Sequence, residues 1–361
     1  MSQTAQSAAS APANSSARVA GLKPRPTVAV VGASGAVGVE LLTTLEKRRF
    51  PLSHLRLFAS PRSAGRSLTF RGEEIKIEVL TPECFSGVDV ALFSAGSSIA
   101  KDYARRAAAS GAIVIDNSSA LRMEEDVPLV VPEVNADTAF THRGLIANPN
   151  CTAIIAVMAL WPLHRANNIA RVVAATYQAA SGAGAAAMEE LRLSTEASLA
   201  GRAFTPRVLP HDYAFNVFSH NDKVDPQSGF NGEEIKVMRE MRKIMRMPDL
   251  RVAITCVRVP VFRAHTIAMT VEFEKPMSPD AAREVLSGAP GLRVVDDRLA
   301  NRFPMPRDAA GQDEVLAGRF RVDPSDPSGR SLMLLVAGDQ LLKGAALNAV
   351  QIAELLLRGR A

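Results

Sequence analysis

At 361 residues, 47 % hydrophobic and 22 % charged, the chain has the length and apolar content for two domains with sizeable cores, and nothing in it reads as disorder overall. A formal net charge of +5, with basic residues scattered among acidic ones and no aromatic interleaving, gives no support to nucleic-acid binding and suits an anionic substrate or cofactor. The three cysteines, Cys84, Cys151 and Cys256, are far apart and lack any Cys-x-x-Cys spacing, which argues against a disulfide framework or a metal site and for a reducing compartment; no apolar run nears the roughly 18 residues that cross a bilayer.

Residues 1–26 are Ala/Ser-rich, hold no acidic residue and carry Arg18, Lys23 and Arg25, so they read as a flexible tail that cannot bury a core. The composition also resembles an organelle transit peptide, which makes a plastid location the alternative to a cytoplasmic one. Thr27-Val28-Ala29-Val30-Val31 then forms a continuous apolar run, the pattern of a strand buried on both faces of a parallel sheet. It feeds into a glycine turn, Gly32, Gly35 and Gly38, and a helix whose apolar face is Val39, Leu41, Leu42 and Leu45. Strand, glycine turn and helix make a dinucleotide-binding start, in which pyrophosphate sits on helix N-terminal amides. The spacing G-x-x-G-x-x-G departs from the common fingerprint, but its context is the one the motif requires.

The next strand, residues 55–59, ends in Ser60-Pro61-Arg62-Ser63-Ala64-Gly65-Arg66, hydroxyls and guanidinium without a carboxylate. That suits the 2′-phosphate of NADP, or it is an ordinary basic turn. Strands at 88–93 and 112–115 finish in small polar residues, and the ligand crevice of an open α/β sheet lies beyond such carboxyl ends, with Arg122 just downstream. After a last strand at 145–147, Asn148-Pro149-Asn150 is turn chemistry and residues 152–160 are apolar and helix-compatible, so Cys151 falls at a helix start. Unpaired N–H groups and the helix dipole there favour a nucleophilic thiolate; on position alone a buried, inert cysteine stays open.

From about residue 169 the strands lengthen and a second domain begins, with a strand at 171–178, the flexible Ser181-Gly182-Ala183-Gly184 and a helix at 185–199. Residues 200–232 read as loop. A further helix opens at Gly232, with Ile235, Met238, Met241 and Met245 towards the core and Glu233 and Lys236 as neighbours, in the bland reading a solvated ion pair. A long strand at 251–263 contains Cys256, read as core, and Arg258. His265 follows on or near a bend, and alone reads as a structural histidine. Residues 301–330 look like an extended loop and edge strand, and the chain closes with a strand at 332–337, Gly338-Asp339-Gln340, and a helix that packs back on the first domain.

A cysteine nucleophile, an NADP-type fold and separated basic residues suggest redox chemistry at an acyl carbon through a thioester. Beyond that point the chain resembles the aspartate-semialdehyde dehydrogenase family. The segments 32–38, 62–65, 116–122, 148–152, 177–184 and 344–351 resemble the family's, in the family's order. Ser34 stands where many relatives have Thr, and Met241 where Thr is common. The resemblance implies an α/β chain with a Rossmann-type NADP-binding domain at 27–151, an α+β catalytic and dimerisation domain at 152–331, and a strand and helix at 332–361 returning to the first domain. It implies Cys151 as nucleophile, His265 as general acid/base and Gln178 orienting the reacting carbonyl. Arg122, Asn150 and Lys236 would hold phosphate, Arg258 the substrate α-carboxylate and Glu233 its ammonium. Ser34, Gly35, Ala36, Val37, Arg62, Ser63, Ser181, Gly182 and Gln340 would contact NADP. The reaction implied is NADPH-dependent reductive dephosphorylation of L-4-aspartyl phosphate by a homodimer. An N-acetyl-glutamyl-phosphate reductase-like enzyme and a catalytically silent relative are the alternatives.

Overall fold

The computed structural model describes residues 21–359, so readings placed on residues 1–20 lie outside the described residues. The tail expected through residue 26 gives way earlier to docked chain: Leu22 N–H donates to Leu356 O at 3.1 Å, and Lys23 pairs with Asp89 at 2.8 Å.

Seven strands build the first sheet: β1 (Thr27–Val31), β2 (His54–Ala59), β3 (Ser67–Phe70), β4 (Glu73–Val79), β5 (Val90–Phe93), β6 (Ile113–Asp116) and β7 (Leu145–Ala147), in the order β3-β4-β2-β1-β5-β6-β7. β1 pairs in parallel with β2 on one side and β5 on the other, so the strand order reverses there and a crevice opens beyond its carboxyl end. Every residue of β5 and β6 is buried, as their unbroken apolar runs require. Helices α1 (Ala36–Lys47), α2 (Ser97–Ala109) and the short α3 (Pro132–Asn135) accompany the sheet. The β3–β4 hairpin is absent from the sequence reading. Its two-residue turn, Arg71 and Gly72, has both φ values positive, the geometry that suits the twist of paired strands.

The second half begins with α4 (Cys151–Ala166) and forms another seven-stranded sheet. Its strands are β8 (Ile169–Gln178), β9 (Phe218–Ser219), β10 (Arg251–Arg258), β11 (His265–Phe273), β12 (Leu292–Val294), β13 (Val315–Val322) and β14 (Ser331–Gly338), in the order β12-β13-β14-β11-β8-β10-β9. The helices are α5 (Ala185–Leu199), α6 (Gly232–Met245), α7 (Pro279–Ser287), α8 (Pro306–Ala309) and α9 (Leu347–Arg358). Three sequence expectations are corrected. The strand expected over 251–263 stops at Arg258, and His265 is the first residue of the next strand rather than part of a bend. β14 does not return to the first domain, because it lies between β11 and β13. The return is made by α9 and the turn ahead of it, with Ala346, Ala349, Val350, Ile352, Ala353 and Leu356 buried against Val28, Val30, Leu41 and Leu45.

α4 is apolar on all sides, and residues 152–160 are buried throughout, as befits a helix enclosed between layers. Around it a single core joins Val31, Phe93 and Val114 of the first sheet to Val172, Ile267 and Val336 of the second. Among the described residues no helix is long and apolar enough to cross a membrane.

Candidate active site

The glycine turn meets α1 at Gly35, and no side chain caps that helix, so its leading N–H groups stay available for an anion. A Cβ on Gly38 would stand 2.2 Å from Gly32 O, which is why the turn can be this tight. Ser34 Oγ donates to Ser63 Oγ at 3.1 Å, bringing the 60–66 turn, with exposed Arg62, beside the start of α1 where Gly35, Ala36 and Val37 lie. From the second domain, Gln340 Nε2 donates to Ser181 Oγ, and Gln340 Oε1 accepts from Ala264 N–H at 2.8 Å. Val37, Ser181, Gly182 and Gln340 all line one cavity of about 300 Å³ at the junction of the halves. An uncapped helix N-terminus beside a guanidinium and two hydroxyls fits a phosphorylated dinucleotide.

Cys151, on the same cavity, is the first residue of α4, as its sequence context indicates. Two of the free donors expected around it are taken. Asn150 is the N-cap, and its Oδ1 accepts from Thr152 N–H at 2.9 Å and Ala153 N–H at 3.2 Å. Burial pushes the thiol up to about 11 and Glu233 adds to the shift, while Arg258 and Arg122 oppose it. The resting group is therefore a thiol rather than the thiolate that the helix start suggests. Gly344 packs on its other side, where a Cβ would come within 2.8 Å of Cys151 Cβ. That glycine sits in a π-helical turn, Leu342–Ala346, anchored by fully buried Lys343, whose ammonium meets Glu133 at 2.5 Å, Gln351 at 2.7 Å and Asn348 at 2.9 Å.

Strand register brings three more predicted residues together. β10 runs parallel to β8 with Arg258 opposite Gln178, so both side chains emerge at the same sheet end. Arg258 donates through Nη1 to Ala179 O at 2.8 Å, and through Nε and Nη2 to Asn221 Oδ1 at 3.1 and 2.9 Å. His265 is fully buried; its Nδ1 accepts from Ala179 N–H at 3.0 Å, so the neutral ring carries its proton on Nε2, which has no protein partner. A Cβ on Gly182 would stand 3.0 Å from that nitrogen, so the ring lies directly behind a glycine that lines the cavity. Burial, then Arg258, pushes His265 down to about 3.

α6 supplies the remaining charges. Asn231 and Glu234 close a capping box at its start, and Glu233 is buried rather than solvated. Glu233 Oε1 accepts from Asn150 Nδ2 at 2.9 Å and Gln178 Nε2 at 3.1 Å, and Oε2 meets Lys236 Nζ at 2.9 Å. Burial raises the Glu233 carboxyl, but His220 and Lys236 outweigh it and hold the group below the usual carboxylate range. The expected core face needs correcting: Ile235 and Met238 are only half-buried, while Val237, Met241, Ile244 and Met245 are buried.

Sequence reasoning missed four residues here. Buried Glu240 pairs with Arg122 at 3.0 Å, Asn221 holds Arg258, and Asp222 bonds Lys236 at 2.7 Å beside buried His220. Glu240 was within reach of helical periodicity, seven residues beyond Glu233 on the same helix. His220-Asn221-Asp222 belongs to a stretch without any period and is placed by the pairing of β9 with β10. Donor atoms of His220, Asp222 and Glu233 lie within 4.8 Å of one another, but the Lys236 ammonium already bonds both carboxylates.

The buried histidines set a pH limit on the fold. Burial is the first cause that pushes His220 down to about 4, and His265 lies lower still, whereas an unfolded imidazole takes its proton near pH 6.5. The unfolded chain therefore gains protons that the folded chain refuses, and stability falls as pH drops below about 6.5 towards 3–4. Between about pH 7.5 and pH 5 each of the two should cost about 2 kcal/mol. Urea unfolding at both pH values measures the loss; equal stability would contradict the burial of these rings.

Residues 27–142 match the family described as semialdehyde dehydrogenase, NAD binding domain, and residues 160–343 the semialdehyde dehydrogenase, dimerisation domain. An aspartate-semialdehyde dehydrogenase of Synechocystis sp. is 50% identical over 91% of this chain and 97% of its own. One of Bacillus subtilis is 45% identical over 91% of this chain and 96% of its own. Among solved structures, aspartate semialdehyde dehydrogenase II of Vibrio cholerae, complexed with ASA, superposes with a TM-score of 0.90 at 40% identity, covering 93% of this chain and 99% of that one. With both halves matched in order and half of the aligned residues shared with such a relative, the chain belongs to the aspartate-semialdehyde dehydrogenase family.

Proposed function

We propose that this chain catalyses the NADPH-dependent reductive dephosphorylation of L-4-aspartyl phosphate to L-aspartate 4-semialdehyde and phosphate, a step towards lysine, threonine and methionine. The observation that carries the reading is one cavity lined by Cys151, Gln178, Arg122, Asn150, Glu233, Lys236 and Arg258, with His265 just behind Gly182. Arg258 keeps guanidinium N–H groups for the substrate α-carboxylate, and Glu233 receives its ammonium. That ammonium offsets the carboxylate that raises the thiol, and the α-carboxylate offsets the guanidinium that depresses His265. Substrate binding thus moves both groups towards neutrality, the first down and the second up.

Once Cys151 has released its proton to solvent, its thiolate attacks the acyl carbon, the C–S bond forms, and the bond from that carbon to the phosphate oxygen breaks with its electron pair leaving on phosphate. Arg122, Lys236 and Asn150 meet that charge. Gln178 orients the carbonyl, and His265 Nε2–H donates to its oxygen as charge develops. NADPH, when bound, supplies the hydride that reduces the acyl group. In the final collapse the oxyanion, held by that Nε2–H, re-forms the carbonyl as the C–S bond breaks and its electron pair returns to the Cys151 sulfur. The test is phosphate-dependent reduction of NADP by aspartate semialdehyde with purified protein; no reduction above a no-enzyme control rejects the assignment.

Preference for NADP over NAD follows from Arg62 and Ser63, which offer a guanidinium and a hydroxyl where an acidic residue would face a ribose hydroxyl. Replacing Arg62 with alanine should cost roughly 1.5–3 kcal/mol of NADP affinity and leave NAD affinity nearly unchanged. Equal kcat/KM for NAD and NADP in the unmodified protein would reject this role. A homodimer joined through the second domain is supported by the open face of its sheet, where Val173 and Tyr177 are exposed. Sedimentation should give twice 38.5 kDa, and Tyr177→Asp should halve that mass; an unmodified monomer would refute it.

A further inference from the structure

We infer that Glu240 is a positioning residue for phosphate, an ionised carboxylate that ties the Arg122 guanidinium to the backbone N–H one residue ahead of the nucleophile. This rests on the reading that Arg122 and Asn150 hold phosphate. Glu240 is 1 % exposed, with Oε1 accepting from Arg122 Nη1 at 3.0 Å and Oε2 from Asn150 N–H at 2.5 Å. Both partners are donors. An amide presents an acceptor to only one of them, and a protonated carboxyl would bring a proton with no acceptor among these partners, so the arrangement favours the carboxylate. Burial raises the Glu240 carboxyl above its usual range, against the opposing pull of Arg122 and the Asn150 N–H, so the reading rests on the geometry of the two donors.

The rest of the arrangement points the same way. Arg122 donates through Nε to Asn148 O at 3.0 Å and through Nη2 to Asn117 O at 2.7 Å, and with Glu240 these fix the guanidinium plane. Three of its five N–H groups are thereby committed and two stay free for an anion. One turn further along α6, Lys243 Nζ donates to the carbonyls of Arg122, Glu124 and Val127 at 2.8, 2.8 and 3.0 Å, clamping the loop that carries the arginine. A purely structural role would not call for an ion pair here, since a well-packed apolar side chain fills a buried site at least as well. The capping box and buried Val237, Met241 and Ile244 already seat the helix.

The test measures how inorganic phosphate protects Cys151 from iodoacetamide, read by mass spectrometry of the peptide that contains it, for wild type, Glu240→Gln, Arg122→Ala and the double variant. Phosphate should slow alkylation of wild type, and Glu240→Gln should raise the half-protecting concentration at least about tenfold. In the Arg122→Ala background the same change should move it less than about twofold, because a positioning residue acts through its partner. An unchanged midpoint in Glu240→Gln, or the same factor in both backgrounds, overturns the proposal. No protection of wild type removes the phosphate reading itself and the proposal with it, a result distinct from either. Should Glu240→Gln not fold, Glu240→Asp keeps the charge but loses the reach to span both donors; a midpoint equal to wild type there overturns the proposal, and a raised one supports it.

Discussion

Replacing Cys151 with alanine is expected to lower kcat by at least about a thousandfold while changing NADPH affinity by less than about twofold. The thiolate supplies the only covalent path among the groups around the cavity, and the dinucleotide contacts proposed here lie on α1, the 60–66 turn, Ser181 and Gln340. Alanine keeps the Cβ against which Gly344 packs, so the π-helical turn has no cause to move. Asn150 also keeps both helix N–H groups that it caps. Single-turnover NADPH oxidation and a fluorescence titration of NADPH separate the two quantities. Activity within tenfold of wild type would end the covalent mechanism, whereas lost NADPH affinity would show that the substitution disturbs more than the reacting sulfur.

The second large effect concerns substrate choice: aspartate semialdehyde should exceed N-acetylglutamate semialdehyde by more than roughly a hundredfold in kcat/KM. Acetylation removes the ammonium that Glu233 would receive, a charge-assisted hydrogen bond worth about 1.5–3 kcal/mol, and adds bulk, although Glu233 keeps its pairing with Lys236. Glu233 also raises the Cys151 thiol, so a substrate without the ammonium leaves the nucleophile more protonated. The longer chain would further push its α-carboxylate past Arg258. Both substrates are to be assayed in the phosphate-dependent oxidative direction, with wild type and Glu233→Gln. Comparable efficiency in wild type would overturn the substrate assignment, and an unchanged ratio in Glu233→Gln would reduce Glu233 to a bridge between Asn150, Gln178 and Lys236.

Local signals marked Cys151, which stands where turn chemistry meets an apolar helix, whereas Gln178, Arg258 and His265 entered as site residues only through the resemblance to the family. Charge was harder to read. Glu233 and Lys236 look like a surface pair from their spacing, and only the packing of α6 against the junction of the halves buries the acid. The thiol was misjudged for a related reason: helix geometry puts donors at Cys151, but whether they are free depends on which way the Asn150 side chain turns. Residues 220–222 carry no period and owe their place to long-range strand pairing, which a linear reading does not see. The largely exposed β3 and β4 carry no unbroken apolar run and β12 spans three residues, so none of them was read, and the strand at 332–337 was recognised but assigned to the wrong half, since its register is set by β11 and β13.

The enclosure of α4 bears on how far the two halves can be treated as separate. Val31 and Phe93 from one sheet and Ile267 and Val336 from the other meet around a helix whose buried residues have no solvent-facing side to turn outward. A fragment ending near residue 142, where the first family match stops, would lose that helix and expose the underside of its own sheet. A fragment starting near residue 160 would lose the α4 residues that fill its core. Neither half is thus a portable module that could be exchanged with a relative's: the boundaries drawn by resemblance pass through a shared keystone, and Cys151 is mounted on its end.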